Sequence, residues 1–562
     1  MNKDYFAHTL ETDVVIVGGG VAGLNAALGA TENGASVLVL DKGTIERSGS
    51  IAGGIDHFLA FLEEGEPWDS EQSYLEYASR IGRGAVNIKV HESIYCREVK
   101  AAINRMADIG VPLCDEKGVF KRTKSFGQPG PYWINFLNGA ELKPKLAKEV
   151  RRRGTEVLDR VMTTKLFLHD GLPVGVTGFH VRSGEFFYVR CKAAIFATGP
   201  TIRLFTSPIG RDFDTWWFPS NTGDSQSIAY RAGVTLANME YVAMTIVPKG
   251  FSAPGLNAFG GMGCTFINRF GERYMLKYDP AGDRAQRYRI IEATIKELAA
   301  GNGPVSIDCR HLEPESLEHL KKTLGCDKNT LPDFLAQKSI DLANTPLEIM
   351  VSAAHQSGVT DVFGSGISID EKCQSTIPGI FACGDCSDQS IGLHLATTSG
   401  YVAGREAARY AIAQKASPES ASVEEINEEI NRVFLPLNKT AGIPHQEFTK
   451  HLGDLMWRYV GVQRTGQGLK QGLAAISNLS GDIQNLAAGD LHELMRVHEA
   501  ANLITVAELT ASAALFRRES RFQPCHFRED YPETDENWTG QVLVKNEGGR
   551  PMTTFKKLEY SC

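Results

Sequence analysis

The strongest constraint on the fold of this chain is a glycine pattern that follows a short run of β-forming residues near its start. Residues 14–17 read Val-Val-Ile-Val, and Gly18, Gly20 and Gly23 come next, ahead of a run of small residues that favours a helix. Glycines at this spacing let the backbone approach a pyrophosphate group at the N-terminus of a helix. A second predicted strand ends at Asp41, whose carboxylate is placed to accept hydrogen bonds from a ribose. The pattern predicts a dinucleotide-binding unit; the alternative is an ordinary glycine-rich turn.

Later segments favour FAD as that dinucleotide. Residues 42–55 are rich in small side chains, so their backbone N–H groups can lie against a flat, polar ring system. Residues 193–199 cross from a strand to a glycine, residues 222–224 open a helix, and residues 384–385 place a carboxylate at a turn where a ribityl chain can be held. We therefore predict one FAD site built from both ends of the chain. Its predicted cofactor-binding residues are Gly18, Gly20, Val21, Ala22, Gly23, Asp41, Lys42, Ser48, Gly49, Ser50, Ala52, Gly53, Gly54, Ala197, Thr198, Gly199, Thr222, Asp224, Gly384, Asp385, Thr398 and Ser399.

The composition is typical of a large soluble enzyme. The chain has 562 residues, 42% hydrophobic and 22% charged, which suffices for at least two hydrophobic cores. The net charge is -8 and the longest basic cluster is residues 151–153, so nucleic acid is not an expected partner. No segment reaches the roughly 20 apolar residues of a membrane span, and residues 1–12 lack the apolar run of a signal peptide. We expect a cytoplasmic protein without a membrane span.

The cysteines predict neither a disulfide framework nor a metal site. Eleven cysteines are scattered over the whole length. Cys383 and Cys386 make a Cys-x-x-Cys pair, which we interpret as packing because it lies within an apolar strand and turn. The chain has no group of four closely spaced cysteines such as an iron–sulfur cluster needs. Electrons are therefore expected to arrive or leave through another protein.

Several further segments carry a resemblance to a known family. The chain resembles the flavoprotein subunits of the fumarate reductase and succinate dehydrogenase family and, within it, most closely the α subunits of adenylylsulfate reductases. The matching segments are residues 41–54 with Glu-Arg-Ser-Gly at 46–49, residues 133–144 with Asn-Gly at 138–139 and Lys-Pro at 143–144, Thr-Trp-Trp at 215–217, Ala-Asn-Met-Glu at 237–240, Gly-Glu-Arg-Tyr-Met at 271–275, Arg-Arg-Glu-Ser-Arg at 517–521 and Arg-Glu-Asp-Tyr-Pro at 528–532.

The motifs and the resemblance together predict an α/β (α+β) fold with three domains and a tail. Residues 1–238 and 353–420 form a two-part Rossmann-like FAD-binding domain, and residues 239–352 form an inserted capping domain that covers the flavin. Residues 421–530 form a C-terminal helical domain, and residues 531–562 an extended tail on the surface.

Four residues are candidates for chemistry where the cap meets the flavin. In the family, a histidine matching His355 faces the substrate, and an arginine matching Arg287 delivers a proton to it, although a guanidinium is an unusual acid because its pKa is so high. Trp216 matches a tryptophan that packs against flavin or substrate. His394 precedes a helix whose N-terminal amides are expected to stabilise an anionic reduced flavin. Each of three candidates has an alternative interpretation. His355 is then a structural histidine whose hydrogen bonds are satisfied where the chain crosses between domains, Arg287 a surface arginine, and Trp216 an ordinary core tryptophan.

Departures from the family pattern argue against its best-known substrates. Thr245 stands where fumarate and succinate enzymes have a histidine, and Met262 stands where they have a glutamate. A C4 dicarboxylate would then be poorly held. The arginine-rich stretch of adenylylsulfate reductases is replaced by the mostly apolar residues 242–249, where only Lys249 is charged. We expect a less anionic substrate in a more apolar pocket lined by Met262 and Cys264.

The resemblance also bears on how the cofactor is held and on what the protein does. No histidine stands at 44–56, where succinate dehydrogenases attach FAD covalently, so the FAD is expected to be non-covalent. The predicted function is exchange of a hydride or electron pair between FAD and a small substrate under the cap, with electrons exchanged with a ferredoxin-like iron–sulfur subunit or carrier. One alternative is an adenylylsulfate reductase α subunit. The other is an electron-relay flavoprotein that has no small-molecule substrate.

Overall fold

The structure is a computed structural model that describes residues 7–124, 127–206, 215, 217–251, 256–327, 330–356, 362–414 and 420–559. Its strands are β1 (Ala7–Val17), β2 (Val37–Asp41), β3 (His57–Leu59), β4 (Arg122–Thr123), β5 (Trp133–Asn135), β6 (Glu156–Asp159), β7 (Val161–His169), β8 (Leu172–His180), β9 (Phe186–Phe196), β10 (Leu236–Ala237), β11 (Val242–Pro248), β12 (Thr265–Ile267), β13 (Val305–Asp308), β14 (Leu347–Gln356), β15 (Gly366–Ile367), β16 (Ile380–Ala382), β17 (Gly540–Glu547) and β18 (Arg550–Lys557).

The helices are α1 (Val21–Glu32), α2 (Glu71–Gly82), α3 (Ile88–Val90), α4 (Arg97–Asp108), α5 (Leu142–Arg152), α6 (Asp224–Arg231), α7 (Leu256–Gly261), α8 (Met275–Tyr278), α9 (Arg287–Ala299), α10 (Pro314–Asp327), α11 (Thr330–Gln337), α12 (Gly392–Ala413), α13 (Val423–Phe434), α14 (His445–Val460), α15 (Gly466–Ser480) and α16 (Leu491–Phe516). A π-helical segment, His91–Cys96, joins α3 to α4. Short 3₁₀ turns lie at Gly139–Glu141, Gly282–Arg284, Gly384–Cys386, Leu435–Asn438, Gly481–Asn485 and Glu536–Trp538.

The largest sheet unites the two ends of the predicted FAD domain. Its strand order is β6-β2-β1-β9-β8-β7, and β16 pairs with the end of β9. β6, β2, β1, β9 and β16 run parallel, whereas β8 and β7 are antiparallel to their neighbours. Residues 14–17 are fully buried or nearly so, as expected for a parallel strand covered on both faces.

Helices α1 and α12, which are far apart in the sequence, pack in direct contact on this sheet. Small residues make the approach possible: a Cβ at Gly404 would lie 1.9 Å from Ala26 O, and a Cβ at Gly29 would lie 2.3 Å from Tyr401 O. The first glycine-rich turn and the second FAD segment are thereby fixed against each other.

The region predicted as the cap has a sheet and a core of its own. The sheet has the strand order β11-β14-β13-β12, and α7 to α11 are inserted between its strands in the chain. Its core contains residues such as Phe259, Phe266, Ile291 and Leu320, which do not belong to the core of the large sheet. β14 returns the chain to the FAD unit, where Gln356 N–H donates to Thr201 O (2.8 Å).

The C-terminal part is helical and then forms a hairpin. α13 to α16 share a further core with the outer face of β7, β8 and β9. The segment expected to be a surface tail instead contains β17 and β18, and β17 pairs with β10 in the register Leu236↔Val544. Val542 and Val544 are fully buried, so the inner strand of the hairpin belongs to the core. Among the described residues, no helix is both long enough and apolar enough to cross a membrane.

Candidate active site

One continuous cavity of about 250 Å³ lies between the large sheet, the cap strand β11 and the N-terminus of α12. It is lined by Val17, Gly18, Gly20, Val21, Ala22, Leu40, Asp41, Lys42, Gly43, Ser48, Gly49, Ser50, Ile51, Gly53, Gly54, Ile55, Asp56, His57, Leu59, Trp133, Val161, Thr163, Ala197, Thr198, Gly199, Pro200, Trp217, Phe218, Ser220, Asn221, Asp224, Ala243, Met244, Arg287, Gly384, Asp385, Ile391, Gly392, Leu393, His394 and Ala396. We call the part near Gly18 the cofactor end. The part near Arg287, His57 and His394 is the cap end.

The glycine turn after β1 has the geometry that a pyrophosphate needs. Gly18 has a φ of +105°, and a Cβ there would lie 2.6 Å from Ala197 O. Gly23 packs directly on the turn, because a Cβ there would lie 1.8 Å from Gly18 O. A Cβ at Gly20, in contrast, would meet nothing closer than Ala197 O at 3.8 Å, and Gly20 lines the cavity. Gly20 is also the N-cap of α1 and makes no side-chain cap, so the first amides of the helix remain available to an anion.

Asp41 holds this turn with its carboxylate. Oδ2 accepts from Gly19 N (2.7 Å) and from Ser48 Oγ (2.9 Å), and Oδ1 accepts from Gly43 N (2.7 Å). Asp41 lines the cavity, as expected of a ribose-binding acid, and it also shapes the loops around it. Behind the turn, the fully buried Lys143 donates from Nζ to Gly19 O. Burial lowers the pKa of Lys143 to about 8.

A buried ionic cluster ties the cofactor end to the C-terminal helix α16. Lys42 Nζ contacts Thr222 Oγ1 (3.1 Å), Asp224 Oδ2 (2.8 Å) and Glu499 Oε1 (3.0 Å). Asp224 also accepts from Asn502 Nδ2 (2.8 Å). Burial disfavours the charged form of Lys42, but the charges of Asp224 and Glu499 outweigh it and raise the pKa of Lys42.

Glu499 is the centre of this cluster and was not predicted from the sequence. It is fully buried and, besides Lys42, it pairs with Arg203 (3.1 Å) and Arg496 (2.6 Å). Its burial raises the pKa, but these three cations together lower the pKa of Glu499 to about 2. Only the tertiary fold brings a residue of α16 to Lys42, so no local motif indicated it.

The turn before α12 supplies a carboxylate and helix amides. Gly384 N–H donates to Ser399 Oγ (3.0 Å), and Asp385 Oδ1 accepts from Gly392 N (3.0 Å). Burial raises the pKa of Asp385 to about 7. Because Asp385 lines the cavity and carries oxygen acceptors, it is suited to bind hydroxyl groups of a ribityl chain.

The cap end is mostly apolar. Ala243 and Met244 of β11 and Arg287 at the start of α9 reach it from the cap, and Leu393 and His394 reach it from α12. His394 is buried and lies edge-on to Tyr95 and Phe58, at centroid distances of 5.4 and 6.4 Å.

His57 and Trp133 form the wall opposite. Their rings stack at a centroid distance of 3.9 Å and an interplanar angle of 23°. His57 Nδ1 lies 2.7 Å from Asp56 Oδ1. These residues were not predicted, although the aromatic Trp133 begins one of the segments that carry the resemblance.

The structure brings most predicted site residues to the cavity. Gly23, Ala52, Thr222, Thr398 and Ser399 are not among the described lining residues. Gly23 packs behind the turn, and Thr222 binds Lys42. Thr398 and Ser399 are buried within α12, where their hydroxyls donate to His394 O (2.9 Å) and Leu395 O (2.6 Å).

One candidate for chemistry lies outside the described residues, and another is described only by its backbone. Trp216 lies outside the described residues, although its neighbour Trp217 lines the cavity. The backbone of His355 lies in β14 opposite Ala243, and its side chain lies outside the described part.

Met262 and Cys264 were expected to line the cap pocket, and this expectation was wrong. The interpretation of Cys383 and Cys386 as packing residues is consistent with the structure. Cys264 does not line the cavity; its Sγ lies 3.3 Å from Cys309 Sγ in the core of the cap, and Met262 packs against the same core. Cys383 and Cys386 are fully buried, and burial raises the pKa of Cys386 to about 12. Among the described residues, no group of three or more histidine, cysteine or acidic side chains is arranged to hold a metal ion.

Comparison with known proteins identifies the cofactor. The family model described as FAD binding domain matches residues 13–400, and the model described as fumarate reductase flavoprotein C-term matches residues 449–561. An uncharacterized FAD-dependent oxidoreductase of Methanocaldococcus jannaschii is 28% identical over 98% of this chain and 99% of its own length. A subunit of the fumarate reductase (CoM/CoB) of Methanothermobacter marburgensis is 29% identical over 95% of this chain and 97% of its own.

Solved structures share the fold along the whole chain. The adenylylsulfate reductase of Archaeoglobus fulgidus superposes with a TM-score of 0.89 at 24% identity, covering 100% of this chain and 97% of that one. The Escherichia coli quinol fumarate reductase superposes with a TM-score of 0.82 at 21% identity, covering 99% and 98%. The predicted fold class and the FAD cofactor are confirmed.

Proposed function

The chain belongs to the flavoprotein family of fumarate reductases and succinate dehydrogenases and is an FAD-dependent oxidoreductase, and from this premise we propose that it exchanges an electron pair between FAD and a small, singly charged anion held at the cap end. The observation that carries the proposal is the single cavity that runs from Gly18 to Arg287. A cofactor bound at the glycine turn and a substrate bound beneath the cap would therefore share one continuous space.

The residues of the cofactor end fit FAD. The turn at Gly18 and Gly20 and the first amides of α1 would hold the pyrophosphate, Asp41 the ribose, and Asp385 the ribityl chain. When bound, FAD supplies the two-electron redox centre that no side chain provides. The first amides of α12, beginning at Gly392, line the cavity and would favour negative charge there.

We propose that FAD is bound without a covalent link. Residues 44–56 contain no histidine, and His57 is engaged by Asp56 and stacked on Trp133. Acid precipitation of the holoprotein should release all the FAD into the supernatant. Yellow colour retained in the precipitate would contradict this part of the proposal.

The charge at the cap end supports a singly charged substrate. Arg287 is the cation that the described part of the cap contributes to the cavity lining. Lys249, the charged residue in the stretch after Glu240, lies on the surface, where its side chain is 62% exposed and paired with Glu348. A fumarate dianion or a phosphosulfate would leave a negative charge unpaired in a largely apolar space, which is costly. This argument also makes adenylylsulfate a weaker candidate.

Electrons are proposed to pass between the flavin and an iron–sulfur protein. Among the described residues, no group of side chains is arranged to hold a metal, and the chain resembles proteins that occur as flavoprotein subunits. The electron-relay alternative is less favoured, because the lining residues of the cap enclose a space continuous with the cofactor end.

The test is anaerobic reoxidation of the reduced holoprotein by three acceptors: crotonate as a singly charged enoate, fumarate as a dianion, and adenylylsulfate. We expect crotonate to restore the oxidised flavin absorption fastest. Arg287→Gln should slow this step by at least about a hundredfold. Arg289→Gln is the matched control, because Arg289 lies on the same helix but pairs with Asp279 and Glu292. Faster reoxidation by fumarate or adenylylsulfate, or none by any acceptor, would overturn the proposal.

A further inference from the structure

A buried cation without an ion pair lies behind the glycine turn of the cofactor end. Lys143, in the first turn of α5, is 1% exposed, and its Nζ donates to Gly19 O. Among the described residues, no carboxylate pairs directly with this ammonium group. Burying an unpaired charge is costly. The position of Lys143 therefore favours a negative charge that the described part of the chain does not place in contact with it.

Three carboxylates lie near enough to act on Lys143, and each of them has other partners. Asp41, at the end of β2, accepts from two backbone amides and one hydroxyl group. Glu46, in the loop after β2, and Asp159, at the end of β6, both pair with Arg151, at 3.0 and 2.7 Å. Their combined attraction does not offset burial, which lowers the pKa of Lys143 to about 8. Lys143 thus lacks a counter-charge of its own.

The peptide unit between Gly19 and Gly20 connects Lys143 to the cavity. This peptide bond is trans, so the Gly19 carbonyl and the Gly20 N–H point in opposite directions. A hydrogen bond to the carbonyl polarises the peptide unit and makes its N–H a stronger donor. Gly20 lines the cavity, and nothing among the described residues accepts from its N–H. An anion bound at this N–H would therefore be favoured by the positive charge of Lys143.

We propose that Lys143 is a positioning residue for FAD and that it supplies, through the peptide unit between Gly19 and Gly20, the counter-charge of the FAD pyrophosphate. The pyrophosphate would lie at the first amides of α1, while Lys143 contacts the same turn from behind. Without FAD, Lys143 loses its proton as the pH rises through about 8. FAD binding above this pH therefore takes up a proton, and FAD affinity falls as the pH rises. The inference goes beyond the proposed function, because it holds for whatever substrate the cap end takes.

The first test compares the release of the cofactor. Lys143→Met removes the charge but keeps a long, unbranched side chain that suits a buried position. On dilution of the holoprotein, this variant should release FAD at least about tenfold faster than wild type, as measured by the fluorescence of free flavin. Lys145→Met is the matched control, because Lys145 on the same helix also donates to a glycine carbonyl, that of Gly110, but is 34% exposed and pairs with Glu141. Equal release rates in the two variants would overturn the inference.

The second test separates the effect of charge from a structural effect. ADP-ribose carries the same pyrophosphate dianion as FAD but no flavin, so ionisation of the flavin does not contribute to its binding. Its affinity for the FAD-free protein, measured by calorimetry, should fall as the pH rises above about 8, by at most tenfold per unit. In Lys143→Met the affinity should be lower at neutral pH and should lose this slope, whereas Lys145→Met should follow wild type. Weaker binding by Lys143→Met with the wild-type slope would indicate a structural role alone and would overturn the inference.

Discussion

The two ends of the cavity are built in different ways. At the cofactor end, three glycines allow a tightly packed turn. Short hydrogen bonds hold the backbone amides of this turn, and short ionic contacts hold a buried cluster beside it. At the cap end, apolar and aromatic side chains predominate, and Asp56, His57 and Arg287 supply the charge. The many fixed contacts at the cofactor end suit one ligand held in one position. The cap end has few polar groups, which under the proposed function would select a substrate by charge and position.

The largest effect is expected at the ionic cluster. Glu499→Gln removes the charge that compensates Lys42, Arg203 and Arg496 in a fully buried position. Leaving buried cations uncompensated should lower the free energy of unfolding by about 3–5 kcal/mol, as measured by urea denaturation. Glu508→Gln on the same helix is the control, because burial already raises the pKa of Glu508 and amidation there removes no ion pair of the cluster. Equal stability of the two variants would mean that the cluster does not hold the cofactor end together.

The next largest effect is expected at the glycine turn. Gly23→Ala places a methyl group where the Gly18 carbonyl lies, at 1.8 Å, and neither backbone segment can move without opening the turn. FAD affinity should fall by about fivefold to a hundredfold or more, since overpacking of this kind costs about 1–3 kcal/mol or more. Equilibrium titration with FAD measures the loss. Gly481→Ala, where a Cβ would meet nothing within 4 Å, should bind FAD normally.

A pH-dependent effect is expected at Asp385. Its pKa of about 7 in the FAD-free protein lies above the ordinary value of 3.8, whereas hydroxyl groups of the cofactor would favour the carboxylate. FAD binding should therefore release a proton, and FAD affinity should rise with pH up to about 7, by at most tenfold per unit. Asp385→Asn should abolish this slope and weaken binding at pH 8 by about tenfold, because a charge-assisted hydrogen bond is lost. The same slope in the variant would assign it to another group.

The same raised pKa affects the stability of the FAD-free protein. Between the unfolded value near 3.8 and the folded value near 7, the folded state binds more protons at Asp385 than the unfolded state. The contribution of Asp385 to stability is therefore fully present below pH 3.8 and is lost as the pH rises through 7. Asp385→Asn should flatten the pH dependence of the unfolding free energy in this window.

The smallest effect is expected at the cap end. Met244→Leu exchanges two apolar side chains of similar volume in the lining, a change that costs less than about 1.5 kcal/mol. FAD affinity should stay within about threefold of wild type, while the relative rates with different acceptors change. A large loss of FAD affinity would show that the two ends are not separable.

Much of the cofactor end could be predicted from the sequence because its signals are local. The strand, the glycines and Asp41 lie within one short segment, and Asp385 lies in a second. Thr398 and Ser399 do not line the cavity, and their hydroxyls donate to carbonyls one turn earlier in α12, so their contact with the cofactor stays a prediction. Glu499 was missed, because its partners come from distant parts of the chain.

The elements farther from the glycine motifs were predicted less completely. The part expected to be a C-terminal helical domain contains α13 to α16, of which α16 is the longest. The β17–β18 hairpin was read as a surface tail, because its pairing with β10 depends on a partner about 300 residues earlier in the chain. At the cap end, the stacking of His57 on Trp133 depends on β-sheet register, which the sequence did not reveal.

The most direct test of the central claim is the absorption difference spectrum of the oxidised holoprotein on titration with butyrate, a saturated singly charged acid. If substrate binds beneath the cap in the same space as the flavin, butyrate should perturb the flavin band in a saturable way. The perturbation should be lost in Arg287→Gln and kept in Arg289→Gln. An absent perturbation, or an equal one in both arginine variants, would contradict the account.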